Sequence, residues 1–234
     1  MAKTEQEIRG KVGNMVFYKV GNEIRVRSTA NDFQDADSEG QHPGRSRLRV
    51  ATLFYQRLTK TISRRIWKLA ATGTSQNGFN LFMKKNMMVF TPCGNVGDFS
   101  RLCLTAGVLQ QVNHLEVTAD DAGRVTLTWD VGINSPSAGD EDRLRVIVLL
   151  SDRCFSPFVV EGVDARRKDG SMTFQLERAG GQIAHLYCFF SGEGGMTYSS
   201  SQYVRVGGGD CSFVDQFWLS FCRIFCECKF CYNI

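Results

Sequence analysis

The chain has 234 residues, 43% of them hydrophobic and 22% charged, with a formal net charge of +4. Those proportions suit a globular protein that buries a real core, and they exclude disorder as the starting expectation. The positive charge is local: ten of the 28 basic residues and none of the 24 acidic ones lie between Gly40 and Gly97, so 18 basic residues face 24 acidic ones elsewhere.

The start, MAKTEQEIRG, is charged and has no apolar stretch, so no cleaved signal peptide is expected and the expected location is cytoplasmic. Two β-prone runs follow, Met15 to Val20 and Glu23 to Ser28, separated by Gly21 and Asn22. That spacing predicts a hairpin, with Gly21 supplying the positive φ of a II′ turn. Met15, Phe17 and Lys19 share one face and Val16, Tyr18 and Val20 the other, so the ribbon is expected to be apolar on one side and to cover something.

After the acidic stretch from Asn31 to Glu39, one helix is expected from Pro43 to Ala71. Leu48, Ala51, Tyr55, Leu58, Ile62, Ile66 and Leu69 recur at helical spacing and form its buried stripe. Arg57, Lys60, Arg64 and Lys68 form a cationic ridge opposite, with Trp67 flanking it. Gly73 is the expected stop, and Thr74 or Ser75 the cap of a second helix that runs to about Phe90. Phe79, Phe82, Met83 and Phe90 would be its inner face, and Thr91-Pro92 its end.

Near residue 105 the period changes from 3.6 to 2. RVTLTW (Arg124 to Trp129), LRVIVLL (Leu144 to Leu150), SMTFQL (Ser171 to Leu176), AHLYCFF (Ala184 to Phe190) and SQYVRV (Ser201 to Val206) read as strands separated by turn residues. About seven strands in about 100 residues predict an immunoglobulin- or fibronectin type III-like β-sandwich. Trp129 is its expected core tryptophan and Tyr187 a corner or core tyrosine. The expected core is Leu115, Val117, Val125, Leu127, Trp129, Val146, Val148, Phe174, Leu176, Leu186 and Cys188. The fold class is therefore α+β, mainly β, in three parts: hairpin plus amphipathic helices over 1–104, sandwich over 105–206, and a Gly linker with a Cys-rich apolar tail over 207–234.

As a set, GKVGNMVFYKVGNEIRVRS, DADSEGQ ahead of RSRLRVATLFYQRL, GFNLFMKKN and the closing TYSSSQYVRV resemble an uncharacterised family of small Bacteroidetes proteins, a domain of unknown function. The resemblance runs from Met1 to about Val206, and its most specific piece is GKxGN before an aromatic-containing strand, a turn glycine and the pair Arg27-Ser28. It implies a hairpin and helical head followed by a sandwich, and it carries no activity to transfer. Where many members approach the helix with an Asn-Pro-Arg-Thr-like segment, this chain has Asp37, Ser38, Glu39 and Gly40.

Of nine cysteines, Cys93, Cys103, Cys154 and Cys188 are expected as buried thiols, and five crowd the last 24 residues. Cys222, Cys226, Cys228 and Cys231 form a four-thiolate set that lacks the paired CxxC loops of a zinc site, so no metal or other cofactor is expected. The tail is too short and too charged to span a membrane, and peripheral membrane contact through it is not expected. Its expected state is a loosely packed extension.

Catalysis is not expected either. The chain has three histidines, His42, His114 and His185, and no triad follows from their spacing. Asp140, Glu141 and Asp142 sit in a Pro- and Gly-containing loop that they would keep solvated. The glycines at 192–195 and 207–209 lack the Lys-Ser/Thr sequel of a phosphate loop. The expected function is a non-catalytic interaction or assembly role, with a protein partner or self-association through the sandwich and helical head. The alternative is nucleic-acid binding by Arg45, Arg49, Arg57, Lys60, Arg64, Lys68, Lys84 and Lys85, unless those side chains pair with the acidic segment instead.

Overall fold

The computed structural model describes residues 9–207 apart from 21, 30–34, 36, 121 and 180. Among them are ten strands in three antiparallel sheets and three α-helices, a mostly β fold. The chain divides into two compact units, 1–39 and 40–234.

In the first unit, β1 (Gly10–Val12), β2 (Met15–Val20) and β3 (Glu23–Ser28) form one sheet in the order β1-β2-β3. Val20 pairs with Glu23 and Met15 with Ser28, the register that the sequence predicts; residue 21, and with it the type of turn, lies outside the described residues. Cross-strand partners point to the same side. Val12, Met15, Phe17, Ile24 and Val26 therefore share one face with Lys19, and Val16, Tyr18 and Val20 share the other with Lys11, Glu23, Arg25 and Arg27. The apolar side is that of Met15 and Phe17, because β3 adds its arginines to the opposite one. There Arg25 Nη2 lies 3.1 Å from Glu23 Oε2, and the Arg27 guanidinium lies 5.9 Å from the Tyr18 ring centroid.

The second unit opens with α1 (His42–Thr61), α2 (Arg65–Ala70) and α3 (Gly78–Asn86). The single helix expected over 43–71 is broken, since Ile62 is extended at φ −113°, ψ 148°. Thr61, Ile62 and Ser63 are weak helix formers, and the Thr61 hydroxyl donates to Pro157 O at 2.9 Å, which fixes the end of α1 to a distant loop. Gly73 stops the segment with φ +79°, as its lack of a Cβ allows. The cap of α3 is Asn77, whose Oδ1 accepts from Asn80 N at 2.8 Å, and not Thr74 or Ser75; the Thr74 hydroxyl donates back to Ala71 O at 2.7 Å. A 3₁₀ turn over Met87–Val89 follows, and Phe90 is extended.

Seven strands come after residue 105 in the described chain: β4 (Asn113–Ala119), β5 (Arg124–Asp130), β6 (Arg143–Leu150), β7 (Phe158–Val159), β8 (Ser171–Gln175), β9 (Ala184–Ser191) and β10 (Gln202–Val206). They make two sheets, β10-β9-β6-β7 and β4-β5-β8. Residues of both sheets share one core: Val125, Leu127, Trp129 and Phe174 meet Val146, Val148, Leu186 and Cys188, with Leu115 and Val117 half-buried at the margin. Trp129 is 6% exposed and its Nε1 donates to Arg167 O at 2.9 Å.

A second core lies on the other face of β6 and β9. Ile147, Leu149, Tyr187 and Phe189 pack there with Phe54, Leu58, Trp67, Phe82 and Phe90 from the helical segment. The six-residue α2 would not persist alone, and fully burying Ile66 and Trp67 supplies about 2 kcal/mol per side chain toward holding it. The helices therefore share a core with the four-stranded sheet, while the hairpin belongs to the other unit. Tyr187, a tyrosine expected at a corner or in the core, is buried on this helix-covered side and donates its hydroxyl to Phe99 O at 2.8 Å.

Candidate functional site

The cationic side chains of the helical segment remain exposed, and they are spread over three helices and not one. Arg45, Arg49, Arg57 and Lys60 lie on α1, Arg64 precedes α2, Lys68 lies on it, and Lys84 and Lys85 end α3. Arg57 is engaged: its Nη1 donates to Phe155 O at 3.2 Å and its guanidinium lies 6.0 Å from the Phe155 ring centroid. Arg45 Nη2 donates to Gln41 Oε1 at 3.0 Å. Arg49, Lys60, Arg64, Lys68, Lys84 and Lys85 make no ion pair among the described residues. Arg64 and Lys68 border a pocket of about 890 Å³ with Tyr55 and Phe79. Burial raises the Tyr55 hydroxyl pKa above 10.0, and the Arg64 charge partly offsets it.

Trp67 is not beside a ridge. It is fully buried, edge-on to Phe82 at 5.2 Å between centroids, so it cannot stack on a base without local unfolding. Leu48, expected inside, is 45% exposed, and Phe54 takes the buried position.

The histidines fall into three settings. His42 begins α1. His114 is exposed at φ +45°, beside a register shift in β4, with Nδ1 3.7 Å from Asp130 Oδ2. His185 is 7% exposed, stacks on Phe99 at 3.7 Å and meets the Tyr203 hydroxyl at 2.9 Å. Burial, then the Arg205 charge, lower its pKa from 6.5 to about 4, so at neutral pH it is an uncharged ring inside the sheet.

The carboxylate loop is pinned and only partly solvated, contrary to the expectation. Asp142 is 6% exposed and accepts from Arg167 Nη2 at 3.1 Å and Nε at 3.2 Å. Arg167 is fully buried, its guanidinium 3.9 Å from the Phe190 ring centroid. Asp142 also accepts from Gly139 N at 2.9 Å, and Glu141 pairs with Arg166 and Lys168. This network ties the loop before β6 to the turn before β8. The sequence carries no local sign of it, since Arg167 lies 25 positions from Asp142.

Of the four cysteines expected as buried thiols, Cys188 alone is buried; Cys103 and Cys154 are half-buried and Cys93 is exposed. Burial pushes the Cys188 thiol up to about 12. Among the described residues no group of three or more His, Cys, Asp or Glu is placed to hold a metal ion. Cys222, Cys226, Cys228 and Cys231 lie outside the described residues, as do glycines 208 and 209. No helix among the described residues is long and apolar enough to cross a membrane.

The first unit exposes apolar side chains. Val12, Met15, Ile24 and Val26, all on one face of the hairpin sheet, are 58%, 50%, 45% and 50% exposed. Both outer strands of that sheet, β1 and β3, have one unpaired edge among the described residues. The sequence reading missed the pair Arg143 and Arg145, which alternate out of β6 beside a pocket. Their signal is the alternation RLR ahead of an unbroken apolar run.

A family model described as a family of unknown function (DUF6266) matches residues 7–205 of the chain. The chain belongs to that family. The DUF6266 match includes the hairpin sheet, the helices and the strands through all but the last residue of β10. No curated protein matches the chain in sequence. Among solved structures, the Clostridium perfringens spore cortex lytic enzyme SleM is similar over 44% of this chain and 29% of its own length, with 10% identity and a TM-score of 0.30. The DUF6266 chain thus spans less than a third of that enzyme, and so low a score bears on neither fold nor activity.

Proposed function

We propose that this chain is a non-catalytic interaction and assembly module that docks protein through the three-stranded hairpin sheet. The unit 40–234 is read as an immunoglobulin- or fibronectin type III-like sandwich with a helical layer, supported by the shared core around Trp129. The observation that carries the proposal is the hairpin sheet itself, an exposed apolar face of Val12, Met15, Ile24 and Val26 bounded by the open edge of β3. Open edges template strand addition, and exposed apolar faces mark contact surfaces.

The charge pattern of β3 favours a second copy as the occupant. Two β3 strands paired antiparallel about Ile24 set Glu23 of each copy opposite Arg25 of the other, and stack Ile24 on Ile24. Opposite charges and apolar residues directly across strands are both favourable, at about 0.2–1 kcal/mol per pair. Hydrogen exchange tests this: the outward-facing amides of β3 gain protection as the protein is concentrated. Exchange of β3 that is independent of concentration contradicts it.

A second reading is nucleic-acid binding, favoured by six exposed cations on the helical segment that have no acidic partner among the described residues. Its test is duplex DNA at low salt. Affinity that falls steeply with added salt and weakens in a Lys60→Gln, Arg64→Gln, Lys68→Gln variant supports it, and absence of binding at low salt removes it.

A further inference from the structure

Alternation along β6 sends Leu144, Val146 and Val148 into the core between the sheets, and Arg143, Arg145, Ile147 and Leu149 toward the helix-covered face. The helices cover Ile147 and Leu149 and leave the two arginines exposed. Beside them is a pocket of about 650 Å³, bounded by the break between α1 and α2 at Ile62 and Ser63, by Phe189, and by the turn at 192–195. That volume is within the range of small-molecule sites.

The charges in this pocket are unbalanced. Arg166 bridges across to Arg143, so with Arg145 three guanidinium-bearing residues occupy neighbouring positions. Glu141 satisfies Arg166 and is shared with Lys168, whereas Arg143 and Arg145 make no side-chain hydrogen bond or ion pair among the described residues. Glu193, also in the lining, pairs with no cation among the described residues. Across the strands Arg143 faces Ser191 and Arg166, and Arg145 faces Phe189, so neither guanidinium has a carboxylate as its direct cross-strand neighbour. Guanidiniums also bind carboxylate and phosphate through two parallel hydrogen bonds.

We propose that this pocket binds a small organic oxyanion, an apolar body bearing a carboxylate or a phosphate. Arg143 and Arg145 hold the charged group, while Ile62, Ile66 and Phe189 line the space for the apolar body. Binding here is independent of hairpin self-association, since the pocket lies wholly within the unit 40–234.

The test is titration of the full chain with inorganic phosphate, phenyl phosphate and benzoate at constant ionic strength, followed by calorimetry and by amide chemical shifts. The expected result is saturable binding of phenyl phosphate or benzoate, tighter than that of inorganic phosphate, with shifts at Phe189, Gly192 and Gly194. Arg143→Gln and Arg145→Gln each weaken it about tenfold or more, without lowering the melting temperature of the free protein. The ratio of benzoate to phenyl phosphate affinity identifies the preferred acid. Should Arg143→Gln fail to fold, Arg145→Gln, at an exposed position away from the Arg166 bridge, makes the same test. No saturable shift up to about 10 mM of any probe, or equal affinity in Arg145→Gln, overturns the proposal.

Discussion

His185 illustrates what this sheet does to a titratable side chain. Packed on Phe99 and hydrogen-bonded to Tyr203, it is desolvated and faces the Arg205 charge, which together lower its pKa from 6.5 to about 4. The unfolded chain takes up the proton near pH 6.5 and the folded one only near 4, so stability from this group is full above 6.5 and is lost as pH falls between those values. The loss amounts to about 3 kcal/mol at the acid end. Denaturant unfolding at pH 7 and pH 4.5 will show a steep drop for the native chain and a shallower one for His185→Gln; equal slopes contradict the assignment. Single residues were legible where one strong rule acts alone, as with Trp129, an aromatic in an alternating strand. They were illegible where two rules compete. Trp67 sits next to a charged helix face by sequence, yet the turn of α2 aims it at Phe82. Asp142 reads as a solvated loop acid because its partner, Arg167, lies 25 positions away.

At the scale of elements, the hairpin register and the strands were legible, because a period of two bounded by turn residues has few other readings. The break between α1 and α2 was not, since it rests on Thr61 meeting Pro157, 96 positions away. The burial of β6 and β9 on both faces was not read from the sequence, although VIVLL and LYCFF are the unbroken apolar runs of strands covered on two sides. The α2–α3 junction gives a direct test of the helical layer. A Cβ on Gly78 would lie 2.8 Å from both the carbonyl carbon and the oxygen of Trp67, which are backbone atoms that cannot swing aside. Gly78→Ala is expected to cost about 1–3 kcal/mol by thermal or denaturant unfolding, despite alanine's better helix propensity. A stabilised variant would show that α3 does not approach α2 so closely.

For the whole molecule, the division of labour follows from where apolar surface is left over. In the unit 40–234 both faces of the four-stranded sheet are covered, one by the helices and one by the second sheet. The hairpin sheet has residues of the same character and leaves them exposed. The local positive charge, conspicuous in the sequence, spreads over three helices and a broken segment, which weakens it as a continuous binding ridge. Self-association through β3 is thus the reading that most directly concerns the molecule as a whole. Light scattering of the full chain over roughly a hundredfold range of concentration tests it, because dissociation of a weak dimer must follow mass action. The expected result is a mass approaching two chains that falls to one on dilution, and a single-chain mass throughout for Ile24→Arg with unchanged circular dichroism. A single-chain mass for the native protein at every concentration, or a dimer that survives Ile24→Arg, contradicts it.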